Sequence, residues 1–388
     1  MAAINIPFIG SRARGGRAHR NLVVDRRQEL RIFPGPLARV GLVALLVVYI
    51  TLPGQLPDPD LNILTLCGIY AIGALGLNLL TGYAGQVSLG HATLYGVGGF
   101  AANWFGSRWD LPIWLFLPLA GLVGFLVGCA IGPFALRLRG NYLAIVTLGL
   151  LFVGEHVFNN WRSVTGGGLG TPSNELPAVI GPFDFEDLSA GGMSYTRDQG
   201  MFWLTWALVA LVAILVKNIV RSRPGRALQA VRDRDVSAEV IGVSLARTKI
   251  AAFAASSAIA GFAGGLFAVW KQYLNPLEFG GQGGLFLSIT FVAIIIIGGV
   301  GTVMGPIIGA LVVLGGQELI KRNSQSGPFQ ALIKDPTNSQ DNAWFAVGEF
   351  NNIVFGLAII GFLMVEPRGI AALWLRVKAY FLTWPFRY

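Results

Sequence analysis

Charge is scarce in this 388-residue chain. Asp, Glu, Lys and Arg together make up 13% of it, about half the share of an ordinary soluble domain. A water-facing surface cannot be covered with so little charge, which excludes a soluble enzyme, a disordered chain and a coiled coil. Cysteine is scarce too: Cys67 and Cys129 both fall in apolar stretches, with neither disulfide nor metal spacing. None of the six lysines follows a glycine, so the G-x-x-x-x-G-K-[ST] loop that cradles nucleotide phosphates is missing. H-E-x-x-H and G-x-S-x-G are missing as well. The carboxylates nearest the apolar segments, Glu155, Glu318 and Glu366, stand at segment ends. A proton-driven carrier would keep one at mid-membrane depth. If this chain moves something uphill, the energy comes from elsewhere.

What the chain has instead is apolar length. Hydrophobic residues make up 54% of it and glycine fills 52 positions, with a mean hydropathy of +0.61. The apolar residues come in blocks of about twenty, the span of a bilayer core. Ten blocks are expected to cross, at about 37–52, 60–81, 85–106, 111–136, 140–158, 201–220, 248–270, 285–303, 305–320 and 350–366. The fold class is therefore an all-α polytopic membrane protein of about ten transmembrane helices. Glycine in the third and eighth segments points to broken or re-entrant helices. A transmembrane domain is expected over 37–366, between a basic tail at 1–36 and a second tail at 367–388.

Charge placement sets the orientation. The first tail carries Arg12, Arg14, Arg17, Arg20, Arg26, Arg27 and Arg31, with no apolar core near the start and no Ala-x-Ala site. With this tail inside and ten crossings, 22 of the 29 basic residues fall on the cytoplasmic side. Both termini are then cytoplasmic, and the net charge of +9 belongs to loops beside lipid rather than to a nucleic-acid surface. Residues 159–200 and 321–349 become outer loops. The first carries Glu175, Asp184, Glu186, Asp187 and Asp198 and a Thr-Gly-Gly-Gly-Leu-Gly-Thr-Pro run at 165–172. Composition fits either solvated connectors or a landing surface for an outside partner.

The cytoplasmic loop at 221–247 is more than a charge anchor. Ser222 ahead of Pro224 starts a short helix, and Leu228 and Val231 give it one apolar face. Asp235 is placed to cap a second short helix that Gly242 ends. Orientation alone needs charge only, so capping signals and an apolar stripe point to docking against something. Around residues 73–103, glycines at 82, 85, 90, 96, 98 and 99 alternate with Asn78, Gln86, Ser88, His91 and Thr93. Small residues let helices approach closely. The five polar side chains are expected either to face a cavity or to satisfy backbone freed at a helix break. His91 fits a hydrogen-bonded packing role as well as a ligand role. Gly85-Gln86-x-x-Leu89 recurs as Gly281-Gln282-x-x-Leu285, a two-half pattern that would put a translocation path at a repeat interface. Glu155 beside His156 is the one adjacent pair an intramembrane enzyme could use, and its place at a span end suits a structural role better.

The run from Leu77 to Ala92, Leu-Asn-Leu-Leu-Thr-Gly-Tyr-Ala-Gly-Gln-Val-Ser-Leu-Gly-His-Ala, resembles the signature of permeases from branched-chain amino-acid ABC importers. It looks most like the longer of the two sister permeases in such systems. Arg226-Ala-Leu-Gln-Ala-Val-Arg-Asp233 through Gly242 is similar to that family's coupling loop. The likeness covers roughly 60–366. It implies a permease subunit in a bacterial plasma (inner) membrane that binds no cofactor itself, with ATP and Mg used by partner subunits. The implied partners are a sister permease, two cytosolic ATP-binding subunits and an extracellular or periplasmic amino-acid-binding protein, with no nucleic acid. The cargo expected is Leu, Ile and Val, translocated by alternating access. A urea or short-amide permease of the same family is the near alternative, and an ATPase-independent channel or facilitator the distant one. Substrate-pathway residues are expected among Asn78, Gln86, Ser88, His91, Thr93 and Gln282. Coupling is expected of Arg226, Leu228, Val231, Asp233, Asp235, Glu239 and Gly242.

Overall fold

The computed structural model describes residues 36–136 and 141–324, apart from 174–175, 181–182, 186–188 and 191–192, and a scattered set between 353 and 377. The chain divides into two units, Met1–Leu52 and Pro53–Tyr388. In the first, helix α1 (Pro36–Thr51) carries large apolar side chains at Val43, Leu45, Val47, Val48 and Ile50 that are all exposed, and Thr51 Oγ1 closes its end on the Val47 carbonyl at 2.8 Å.

The second unit is a helical bundle. Its long helices are α2 (Asp58–Asn78), α3 (His91–Trp109), α4 (Ile113–Leu136), α5 (Asn141–Asn160) and α6 (Arg197–Arg221). Two short ones follow, α7 (Arg223–Asp233) and α8 (Asp235–Val240), and then α9 (Leu245–Lys271), α10 (Gly281–Gly298) and α11 (Met304–Ser324). Nine of the ten expected segments coincide with helices. Of the tenth, 350–366, ten of the seventeen residues are described and nine of these are helical; most of both tails and of the 321–349 loop lies outside the described residues.

Among the described residues, seven helices are long and apolar enough to cross a membrane: residues 58–83, 113–134, 142–160, 197–221, 245–271, 281–298 and 304–322. The chain is thus an all-α, multi-pass membrane protein. Helix α3 is not among the seven, and burial explains why. His91, Thr93 and Asn103 face protein on all sides, so the helix needs no apolar coat against lipid.

Helix α9 is the centre of the bundle, packing against α4, α3 and α2, while α2 also holds α6 and α11. Glycine is what lets these helices close up. A Cβ on Gly98 of α3 would lie 2.0 Å from the Gly261 carbonyl oxygen, and one on Gly264 would lie 1.8 Å from that of Tyr95. On the other flank of α9, a Cβ on Gly124 of α4 would meet the Ser257 carbonyl oxygen at 2.4 Å. Backbone thus meets backbone along two seams, the small-residue packing that operates where lipid supplies no hydrophobic drive. Aromatic rings fill the space beside these seams. Tyr70 stacks on Phe291 with centroids 5.2 Å apart, Tyr95 lies 5.5 Å from both Phe267 and Phe291, and Phe279 joins from the turn after α9. At the end of α9, Thr171–Pro172 pairs antiparallel with Tyr273–Leu274. Ser173 Oγ and Arg197 Nη2 donate to the carbonyls of Ala268 and Val269, each at 2.8 Å, in the last turn of the helix, where Ala268 also accepts from Gln272 N–H.

Candidate functional site

Two regions meet here: the short-helix loop and a pair of breaks in the long helices. The loop folds as its local signals direct. Ser222 is extended ahead of α7 and Pro224 occupies the first turn. The Ser222 hydroxyl bonds backward to the Ile219 carbonyl at 2.5 Å rather than capping forward. Gly225 permits the tight fold-back, since a Cβ there would sit 2.3 Å from the carbonyl oxygens of Ile219 and Val220. Helix α8 ends on Gly242 at φ 89°, with Val243 N–H on the Ala238 carbonyl and Gly242 N–H on that of Glu239, both at 3.0 Å. This is the glycine-terminated end that the sequence signals.

Two details of the loop differ from expectation. Asp235 is the first residue of α8 rather than its cap, and it pairs with Lys249 Nζ at 2.8 Å, tying α8 to α9. The Leu228–Val231 stripe is buried in this chain's own core, 5% and 2% exposed, so what it docks against is the bundle itself. The apolar side chains that face outward belong to α8 and its end: Val236, Val240 and Ile241 are 71%, 83% and 74% exposed. Beside them a groove of about 470 Å³ is lined by Asp235, Glu239, Gly242, Ser244 and Lys249 among others. Arg226, Asp233 and Glu239 are exposed, with Arg226 Nη1 on the Arg221 carbonyl at 3.1 Å.

The first break follows α2. The helix widens into a π turn at Leu79–Tyr83, and Gly85 then takes φ 70°. Gln86 N–H returns to the Leu80 carbonyl at 3.1 Å, and α3 starts only at His91. The third expected segment is therefore broken in its first six residues. The second break, between α10 and α11, turns on Gly299 at φ 120° and Gly301 at φ 79°. Asn78 joins the two: its Nδ2 donates to the Thr302 carbonyl at 2.8 Å, and its Oδ1 accepts from Gly301 N–H at 2.9 Å. Arg232, from the end of α7, donates to the Gly82 carbonyl. No local signal marks the Arg232–Gly82 contact or the Asn78 contacts with Gly301 and Thr302, because the partners lie more than a hundred residues apart in sequence.

The expected pathway residues divide by what they bond. Asn78, His91 and Thr93 are buried and spend polar atoms on backbone, His91 Nε2 lying 2.9 Å from the Gly73 carbonyl oxygen and Thr93 Oγ1 3.4 Å from that of Leu150. Both side-chain polar atoms of Gln86 and the Ser88 hydroxyl, like His91 Nδ1, are buried with no partner among the described residues. Asn78 through Thr93 thus share the stretch around the first break, whereas Gln282 is exposed at the start of α10. The repeated glycines, Gly85 and Gly281, both take positive φ, 70° and 51°, although the glutamines after them differ in burial. His156 bonds Asn160 on an exposed face.

A family model described as branched-chain amino acid transport system / permease component matches residues 61–363. The high-affinity branched-chain amino acid transport system permease protein LivM of Salmonella typhimurium is 33% identical over 296 residues, 73% of this chain and 68% of that protein. The corresponding LivH protein of Escherichia coli is 27% identical, covering 80% of this chain and 93% of its own. The ribose import permease protein RbsC of Haemophilus influenzae is 26% identical over 66% of this chain and 75% of its own. No solved structure matches the chain. Because the family model spans most of the sequence, including both breaks and the short-helix loop, this chain belongs to the permease-component family of branched-chain amino acid transport systems.

Proposed function

We propose that this chain is the transmembrane permease subunit of an ATP-driven importer of branched-chain amino acids in a bacterial inner membrane. The observation that carries the proposal is its 33% identity to a branched-chain amino acid permease protein over 73% of its length. The missing phosphate loop supports assigning ATP and Mg to separate cytosolic ATPase subunits. In this reading ten helices cross, both tails are cytoplasmic, and the 221–247 loop faces the ATPases. A sister permease completes the path, and a soluble binding protein delivers cargo to the 159–200 and 321–349 loops. Helix α8 supports the docking role, because Val236, Val240 and Ile241 are exposed apolar side chains on the loop that this reading puts outside the membrane. ATP-driven closure of the ATPases would move this loop and tilt the bundle, exposing the path to alternate sides.

Gln86 and Ser88 are the pathway residues this reading favours, since a buried polar group without a partner costs free energy until something bonds it. A passing zwitterion, or water that precedes it, would do so. Asn78, His91 and Thr93 would act by holding the break in shape. Gln86→Leu is expected to leave the melting temperature unchanged or raised, since it removes an unpaired amide, while lowering uptake roughly tenfold. Thermal scans and initial rates on the same preparation check both halves. Equal loss of stability and uptake would make Gln86 a packing residue only.

Cargo is tested by uptake of labelled leucine in cells with and without the gene, with valine, urea and ribose as competitors. Gene-dependent uptake suppressed by valine alone is the expected result. Leucine uptake unchanged by the gene, with urea or ribose uptake lost instead, would overturn the cargo assignment.

A further inference from the structure

Arg232 lies in the last turn of α7, and the coupling reading above gives it no task. Its backbone belongs to the loop and the residue is exposed, but its guanidinium reaches the end of α2. Nη1 donates to the Gly82 carbonyl, 150 positions earlier in the chain. That carbonyl stands where the π turn ends α2, among acceptors that have no helical donor left. A cation at this point also meets the negative end of the dipole of a 26-residue helix.

The surroundings are built around this one side chain. A Cβ on Gly85 would lie 3.1 Å from Arg232 Cγ, and one on Gly301 would lie 3.0 Å from its Nη1. A Cβ on Gly82 would strike Asn78 Oδ1 at 2.2 Å and the Gly301 nitrogen at 2.7 Å. Three glycines thus clear the space in which Arg232, the end of α2 and the α10–α11 turn come together. Asn78, one turn before Gly82, fastens that turn through Gly301 and Thr302. The result is a continuous polar connection from the loop, through the first break, to the second. Leu228 and Val231 hold the same short helix against the core, so α7 cannot move without either dragging or breaking the Arg232 contact.

We infer that Arg232 is a positioning residue that carries movement of the 221–247 loop to both helix breaks at once. The inference rests on the reading of that loop as the energy-coupling element. Arginine suits the task because its planar fork keeps direction at the end of a long stem, which a lysine ammonium does not. A purely structural cap would stabilise the fold and do no more. A link in the coupling path sets how much transport each ATP yields.

The two roles separate in the full complex, purified with its ATPases and sister permease and placed in lipid vesicles. The readouts are melting temperature, ATP hydrolysis, and labelled leucine transported per ATP hydrolysed. Arg232→Ala is expected to keep the ATPases bound and hydrolysis within about twofold, while leucine moved per ATP falls roughly tenfold, the scale of losing one charge-assisted hydrogen bond. Arg232→Lys is expected to fall between the two. Unchanged transport per ATP in Arg232→Ala overturns the inference and leaves the coupling reading standing. If the alanine variant does not assemble, wild-type transport per ATP in Arg232→Lys overturns it likewise. Wild-type leucine uptake that needs no ATP would overturn the coupling reading, and this inference with it.

Discussion

Replacing Val240 and Ile241 together by aspartate is expected to abolish leucine uptake while the protein stays folded in the membrane. Both side chains are largely exposed, 83% and 74%, and neither supports the bundle. Helix α8 would keep its shape, because its end is fixed by Gly242 and its start by the Asp235–Lys249 pair. Burying two branched apolar side chains against a partner stabilises the contact by about 1.5–3 kcal/mol each. Two carboxylates forced into the same contact add a desolvation cost. A loss of about 4 kcal/mol or more in ATPase docking follows, roughly a thousandfold in affinity. Co-purification of the ATPase subunits reads this directly. Retained ATPases with normal uptake would remove α8 from the interface. Polar replacements at Leu228 and Val231 have a different expected result. Those residues are buried in this chain, so the bundle loses stability along with transport.

The second large effect falls at the centre of the bundle. Gly264→Val would place side-chain carbon into the Tyr95 carbonyl, where even a Cβ has only 1.8 Å. The obstacle is helix backbone, which cannot rotate aside as a flexible side chain can. Helices α3 and α9 must then separate, opening the Tyr70–Tyr95–Phe267–Phe291 ring cluster beside them. Overpacking in tight cores costs about 1–3 kcal/mol when side chains can adjust, and a backbone clash exceeds that range. Little monodisperse protein should survive detergent extraction. Gly149→Val is the control, because nothing lies within 4 Å of a Cβ at that position on α5, and its yield should match the wild type. Equal yields for both variants would mean that the α3–α9 seam does not depend on close approach.

Much of this architecture is legible in the amino-acid order, for one physical reason. Bilayer thickness imposes a length on every crossing segment, so apolar blocks announce helices without any tertiary information. The local grammar of α7 and α8 is readable for a similar reason: proline, serine and glycine act within a turn of where they stand. Legibility stops where the partner is distant. The Leu228–Val231 spacing reveals a stripe but not which surface receives it, and burial shows the receiver to be this chain. Asn78 reads as a polar residue at depth, yet its partners, Gly301 and Thr302, lie beyond any sequence window. Arg232 looks like one more positive-inside charge. The polar residues near the first break divide on the same principle: His91 and Thr93 meet backbone supplied by other segments, while Gln86 and Ser88 do not.

Transport driven by ATP through this chain is tested most directly in sealed vesicles containing it together with its co-purified partner subunits and binding protein. ATP is supplied on the face that carries the 221–247 loop, and labelled leucine on the other. Accumulation of leucine above its outside concentration, present with ATP and absent without it, is the predicted result. Equilibration of leucine at the same rate with and without ATP would contradict the account and make the chain a facilitator.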